Sequence, residues 1–569
     1  MNDVKKRIKN RVGWKSKWGI IAVCGVLAFA VTALLAYRLY KRSEPDLLVR
    51  GARELLAKKD YAGAILDARR ALQINPASAD ACRIIASILE SIGNTEAIDW
   101  RRRVLRLAPD SLDDKLALAA TGLRLNQASL AREALELISD REKRCVAYES
   151  TAGAVAVANE DFAAASRHYE EALRLDPNSE SNRFNYANAL LRSPTLGERE
   201  SGLQILERLR TSLKFGPLSL RALTTDLAAH NQLLDALKFS SELQSNPHVE
   251  FGDKLNHLDL LQVTGSTEFR TFLHNLQQYA SMEPAKVGLL MAWMASHQLA
   301  GEAITWGKQL PSKTISNSQV GANLANCYIA IGDWEGLKGI VAGLNWGDAE
   351  YLRQAYLARA MKELGDADGF RNEWRVSESA AADQSDGLKT LVRLVDSWGW
   401  KDLIKELLVR AAQANREQEW ALFLLYQIYA QEGDTRQMCW AAAKARVLDP
   451  TNELAENNFA MLSLLLKNDV DHATDLARAL YSKHPTNPIF TSTYAYALHL
   501  AGRTQDALRI MSFLRPDQLR DPSIAAYYGI FLAASGAHAE AAGFLELAKK
   551  ATLLSEEKQL VASAVRELN

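Results

Sequence analysis

Between Asn159 and Glu180 the chain reads NEDFAAASRHYEEALRLDPNSE, and its small and aromatic residues recur at helical spacing. Ala165, Tyr169 and Ala172 share one stripe, and Pro177 marks where the helix stops. The same alternation of an apolar-striped segment, a short turn signal and a second striped segment continues along the chain. Turn signals fall near Lys59, Gly93, Asn126, Glu160, Gly197, Asn231, Gly265, Gln298, Gly332, Gly365, Gly399, Gly433, Asn468, Gly502 and Gly536. They lie on average 34 residues apart, and from Gly332 onward the spacing stays between 33 and 35. A fixed period of this length predicts stacked helical hairpins.

One such hairpin cannot bury its own apolar faces, so each must stack on its neighbours, and cohesion passes from pair to pair. Small residues at the crossings let the two backbones approach while the apolar residues around them supply the burial. Gly or Asn followed by Asp, as in Gly332-Asp333, Gly365-Asp366, Gly433-Asp434 and Asn468-Asp469, predicts a left-handed residue ending the first helix and an Asp capping the second.

The period and its residue pattern resemble the tetratricopeptide repeat, a helix-turn-helix unit of 34 residues, over residues 45–551. That family keeps three positions per repeat small and often places proline near the end. Ala52, Ala64, Ala71 and Pro76 match in the first unit, Gly153, Ala165, Ala172 and Pro177 in a later one, and Ala473 and Pro485 in a late one. The resemblance implies an all-α fold, a right-handed superhelix of about fifteen helix pairs. The pattern weakens over residues 190–315, where SPTLGERES lengthens a turn and Arg270 stands where a small residue belongs. These are expected to be degenerate repeats or a hinge. Residues 552–569 place Leu560, Ala564 and Leu568 on one face, which predicts a helix capping the last repeat.

Residues 18–37, WGIIAVCGVLAFAVTALLAY, form a charge-free run long enough to cross a hydrocarbon core as a helix. The basic residues 1–17 precede it, and Arg38, Lys41 and Arg42 open the linker 38–44. The charge excess favours a cytoplasmic N-terminus, with the repeats across the membrane, periplasmic if the cell is bacterial. A cleaved signal peptide is the alternative, although the sites near Ala33 and Ala36 match a small-x-small signature poorly. Cys24 follows Val23 where a lipidation signal carries a smaller residue. Ala28, Thr32 and Ala36 repeat at four-residue spacing, which helix association uses and which alanine-rich spans show anyway.

The 569 residues exceed one compact core and carry no formal net charge. Outside the basic N-terminus, 61 basic residues face 67 acidic ones, which removes the electrostatic ground for a nucleic-acid partner. Cys24, Cys82, Cys145, Cys327 and Cys439 are scattered, with no metal-knuckle or CxxC spacing. No nucleophile elbow, phosphate loop, HExxH or dinucleotide fingerprint is present. His248 and His257 are nine residues apart, a poor metal pair, and Gly365 to Gly369 reads as a repeat turn. Neither catalysis nor a cofactor nor a metal is expected.

In the resembling family, peptide ligands lie in the concave groove lined by the first helix of each pair, where an Asn bonds the extended backbone. By that resemblance Asn185 and Asn188, in RFNYANAL, and Asn323 and Asn326, in GANLANCY, take the groove positions. An amide donates and accepts at once, so it holds a backbone without demanding a side chain. The alternative is that these amides bond their own helix or a neighbouring repeat. Trp420 and Phe423 fall at positions that point into the groove as aromatic anchors, whereas Trp334 and Trp374 take packing slots. Arg183 and Arg192 lie beside the first Asn pair but outside the family's carboxylate-clamp positions. The expected function is a membrane-anchored scaffold or adaptor for other proteins or peptide segments in envelope complex assembly, its oligomeric state open. The alternatives are a cytoplasm-facing adaptor and a non-catalytic regulatory subunit of an envelope system such as polysaccharide export or cytochrome maturation.

Overall fold

The computed structural model describes residues 44–384, 386–413 and 419–568. Every regular element among them is helical. The expected membrane span at 18–37 lies outside the described residues. No helix within them is long and apolar enough to cross a membrane. The chain divides into two compact units, Met1–Leu276 and Gln277–Asn569.

Within each unit consecutive helices pack as hairpins, and the first helix of a pair also touches the first helix of the next. The turns explain the period. Thirteen of the fifteen turn signals carry a left-handed φ, including Lys59, Asn126, Glu160, Asn231 and Gln298, where no glycine relieves the strain. The next residue then donates its N–H to the carbonyl five residues back: Asp161 to Ala156 at 2.9 Å, Asp333 to Tyr328 at 3.0 Å, Asp434 to Tyr429 at 2.9 Å. This closes the first helix in a Schellman motif. The same Asp turns its side chain onto the second helix, Asp333 accepting from Gly336 N at 2.9 Å and Asp366 from Gly369 N at 2.8 Å.

Two turns depart from expectation. Gly197 lies inside the Leu196–Leu209 helix, so the break falls before it. Near Asn468 the left-handed residues are Lys467 and Asp469, and Asp469, with φ 47°, makes no side-chain cap.

The small slots are where the crossings are tightest. Ala52, Ala64, Ala71, Ala165, Ala172 and Ala473 are fully buried. A Cβ on Gly153 would stand 2.8 Å from the buried Tyr169 ring, so the Val146–Ala158 and Phe162–Leu175 helices cross with no room for a methyl group. Helices continue through 190–315, with Arg270 exposed and Leu273 and Leu276 taking the burial. The weak pattern there reflects a shifted register. After Ala300–Gly307 and after Thr504–Met511 only a single helical turn follows before the next pair.

Charged pairs stitch successive first helices at nearly one repeat's separation. Arg83 grips Asp114 through two bonds of 2.8 and 2.6 Å, and Arg221 holds Asp253 at 2.8 Å. In the second unit Arg359 lies over the Trp334, Trp398 and Trp400 rings at 5.4, 5.6 and 4.7 Å, so these three tryptophans serve packing. Trp374 is buried, as its slot predicts, whereas Trp334 is half-buried beneath that guanidinium.

Candidate protein-interaction site

The second unit places Trp420 and Phe423 in one groove. Both sit in the first turns of the Glu419–Glu432 helix, which begins a repeat and is closed by the left-handed Gly433. Phe423 is 63% exposed and lies one turn from Trp420 on the same helix, with the exposed Leu454 across the groove. Trp420 is half-buried, with the Lys389 ammonium 6.0 Å from its ring. One turn on, Tyr426 extends the aromatic wall.

Leu454 and Asn458 of the Glu453–Leu465 helix form the opposite wall, with Asn452 at its cap, and Ala441, Ala442 and Ala445 of the Thr435–Leu448 helix make the floor. The space is about 610 Å³. Alanines in the floor give it depth, and longer side chains there would fill it. Of the described lining residues Glu419 alone is charged. The Tyr426 phenol is pushed up to about 12 by burial, with the Glu557 carboxylate adding to the effect, so it remains a neutral hydroxyl. An aromatic and aliphatic wall with amides at the rim suits an apolar side chain together with the peptide backbone that carries it.

The asparagines are placed differently. Asn188 donates its amide to the Phe184 carbonyl of its own helix at 2.9 Å. Asn323 donates to the Gly288 carbonyl of the preceding first helix at 2.8 Å, and Asn326 accepts from the Tyr356 hydroxyl at 3.0 Å. Three of the four amides are thus satisfied within the chain, Asn323 and Asn326 across neighbouring repeats and Asn188 on its own helix. Asn185 is half-buried in the Glu180–Leu191 helix of the first unit. Arg183 donates to the Pro177 carbonyl at 2.6 Å and Arg192 lies 5.4 Å from the Phe162 ring, so both serve local packing.

Sequence reasoning named Trp420 and Phe423 but neither Leu454 nor Asn458, which line the same groove. The signal was available for one residue, since Leu454 falls at the helix-start position of Trp420 one repeat later, but a leucine at a helix start reads as core until its 54% exposure is seen. No group of three or more His, Cys, Asp or Glu that could hold a metal occurs among the described residues.

The described residues form an all-helical array of paired helices. No family model and no curated protein matches the sequence. Solved structures similar to it include PilF of Pseudomonas aeruginosa, at 15% identity and a TM-score of 0.27 over 42% of this chain and 93% of that one. The structure of Naa15/Naa10 bound to HypK-THB matches at 16% identity and a TM-score of 0.28, over 92% of this chain and 79% of the other. The Cut9-Hcn1 hetero-tetramer of APC/C matches at 12% identity and a TM-score of 0.28, over 92% and 96%.

Proposed function

We propose that this chain is a membrane-anchored scaffold that binds segments of other proteins through its helix-pair array and takes part in assembling envelope complexes. The observation that carries the binding role is the Trp420–Phe423 groove, a solvent-open apolar trough that the described residues leave unfilled. Aromatic side chains in such a position give a disproportionate share of interface energy. The polar rim at Asn452 and Asn458 suits an extended backbone.

Replacing Phe423 by a photo-cross-linking phenylalanine analogue in the intact chain tests this reading. Discrete protein adducts are expected, and Trp420→Ala should lower their yield roughly tenfold, the loss of about 1.4 kcal/mol of binding. Helical content and melting should hold in the Phe423-substituted chain, because that ring is largely in solvent. Adducts that are absent, or unchanged by Trp420→Ala, would remove the groove from the account.

Anchoring rests on the charge-free run 18–37 and its basic flank, which favour an array outside the cytoplasm. In sealed right-side-out vesicles, external protease should degrade the array without detergent. Degradation that requires permeabilisation would put the array on the cytoplasmic side.

A further inference from the structure

The final helix, Ser555–Glu567, makes contacts that a cap on the last pair does not need. It packs on Pro522–Ala534 and His538–Ala548, as a cap should. It also reaches back 121 residues: the Thr435 hydroxyl donates to Glu556 Oε2 at 2.6 Å. Thr435 opens the Thr435–Leu448 helix and is itself buried. Next to it the Tyr527 hydroxyl donates to Glu557, whose second oxygen accepts from the Leu554 backbone N–H at 2.8 Å. Leu554 packs against two apolar clusters of the second unit, the one around Leu422 and Leu425 and the one around Tyr496 and Phe531.

The receiving face comes from first helices of different pairs. Tyr496 of Pro488–Leu500 and Tyr527 of Pro522–Ala534 stand with ring centroids 5.4 Å apart. The Glu557 carboxylate acts on the phenols of Tyr426, Tyr496 and Tyr527, raising each further after burial has raised it most. A row of hydroxyls thus meets one acidic helix start, and hydroxyl donors to carboxylate are strong charge-assisted bonds.

The helix is held lightly for one so placed. Only Ala564 of its thirteen residues is buried, against nine of thirteen in Pro522–Ala534. Elements with few buried contacts open at much lower free energy than the core. Its grip is a leucine, two carboxylates and the partly covered Leu560 and Val561.

We propose that the face between Tyr426 and Phe531 is a docking surface for an amphipathic helix that opens on a leucine followed, after one residue, by two acidic residues. The Ser555–Glu567 helix fills this surface in cis, and a partner helix of the same chemistry displaces it. Recognition is of the helix-on-groove type, with the leucine as anchor and the acidic pair fixing the register. The inference rests on the protein-binding reading of the array, but its surface is separate from the Trp420–Phe423 groove apart from the shared Tyr426.

The probe is a labelled peptide of residues 552–569, TLLSEEKQLVASAVRELN, added to the full chain carrying Leu554→Ala and Glu557→Ala. The variant should bind the peptide at least roughly tenfold more tightly than the unmodified chain, whose surface is occupied. A peptide with Glu556→Gln and Glu557→Gln should bind the variant roughly tenfold more weakly. No binding by a folded variant, or equal binding by both chains, overturns the proposal. Should the variant fail to fold, hydrogen exchange on the unmodified chain decides. Amides of 555–567 are expected to exchange at least about a hundredfold faster than those of Pro522–Ala534, and equal protection overturns the proposal. Cross-linking at Phe423 reads the groove on its own, so either surface can fail with the other intact.

Discussion

Glu90→Ala should destabilise the first unit by about 3–5 kcal/mol, the cost of removing one member of a buried ionic cluster. The Glu90 side chain is 3% exposed near the end of the Ala79–Ser91 helix. It accepts from Arg101 at 2.9 Å, Arg124 at 2.8 Å and the Thr121 hydroxyl at 3.0 Å, joining three successive helices. Arg124 is 68% exposed and hydrates readily once released. Arg101 is only 12% exposed, and without the carboxylate it keeps a neutral hydroxyl at 3.2 Å as its partner. The penalty therefore comes from the stranded guanidinium rather than from lost attraction. Glu90→Ala combined with Arg101→Met should recover most of the loss, since a buried ion pair replaced by an apolar pair is often neutral. Urea unfolding of both variants gives the comparison. A single-variant loss under about 1 kcal/mol, or a double variant weaker than the single, would show that the cluster is well solvated.

The array was legible because its information is local and repeated. Thirteen turns adopt the left-handed conformation at the marked residue, including glutamate and lysine that no turn rule favours, because the 34-residue period fixed their places when residue type did not. Single-residue placement was weaker where no pattern supports it, as at Gly197 and Asn468. The Glu90 cluster and the Arg83–Asp114 pair were invisible for a different reason. They join residues about 31 apart, and the charges carry no signature of the helix face that meets the neighbouring repeat.

The candidate site divides along the same line. Trp420 and Phe423 could be placed from position within a repeat, because an aromatic at a helix start away from the crossing slots has few neighbours to cover it. Asparagine is ambiguous at the same positions, since its amide satisfies itself on any nearby carbonyl; Asn188 uses its own helix and Asn323 its neighbour. The contact of Glu556 with Thr435 spans several repeats, so nearest-neighbour stacking gives no means to foresee it.

His257 should make the first unit acid-sensitive over a defined window. Its ring is 3% exposed, shares a 3.0 Å hydrogen bond with Ser240 and meets the edge of Phe272 at 4.7 Å, between the Leu233–Gln244 and Phe251–Val263 helices. Burial, aided by the charge of Lys254, holds its pKa down at about 4, against an ordinary 6.5. Above pH 6.5 the ring is neutral in both folded and unfolded chains and contributes no slope. Between 6.5 and 4 the unfolded chain takes up a proton that the folded chain refuses, so stability falls as pH falls. The loss should reach about 2 kcal/mol at pH 5 and about 3 kcal/mol at pH 4, where the folded ring begins to protonate and the effect levels off. Carboxylates titrate at the lower end of the same range, so the comparison is with His257→Leu, which removes this titration and leaves theirs. Urea midpoints between pH 7 and 4.5 should fall more steeply for the unmodified chain than for the variant, and parallel lines would mean that the buried ring accepts its proton without opening the helices around it.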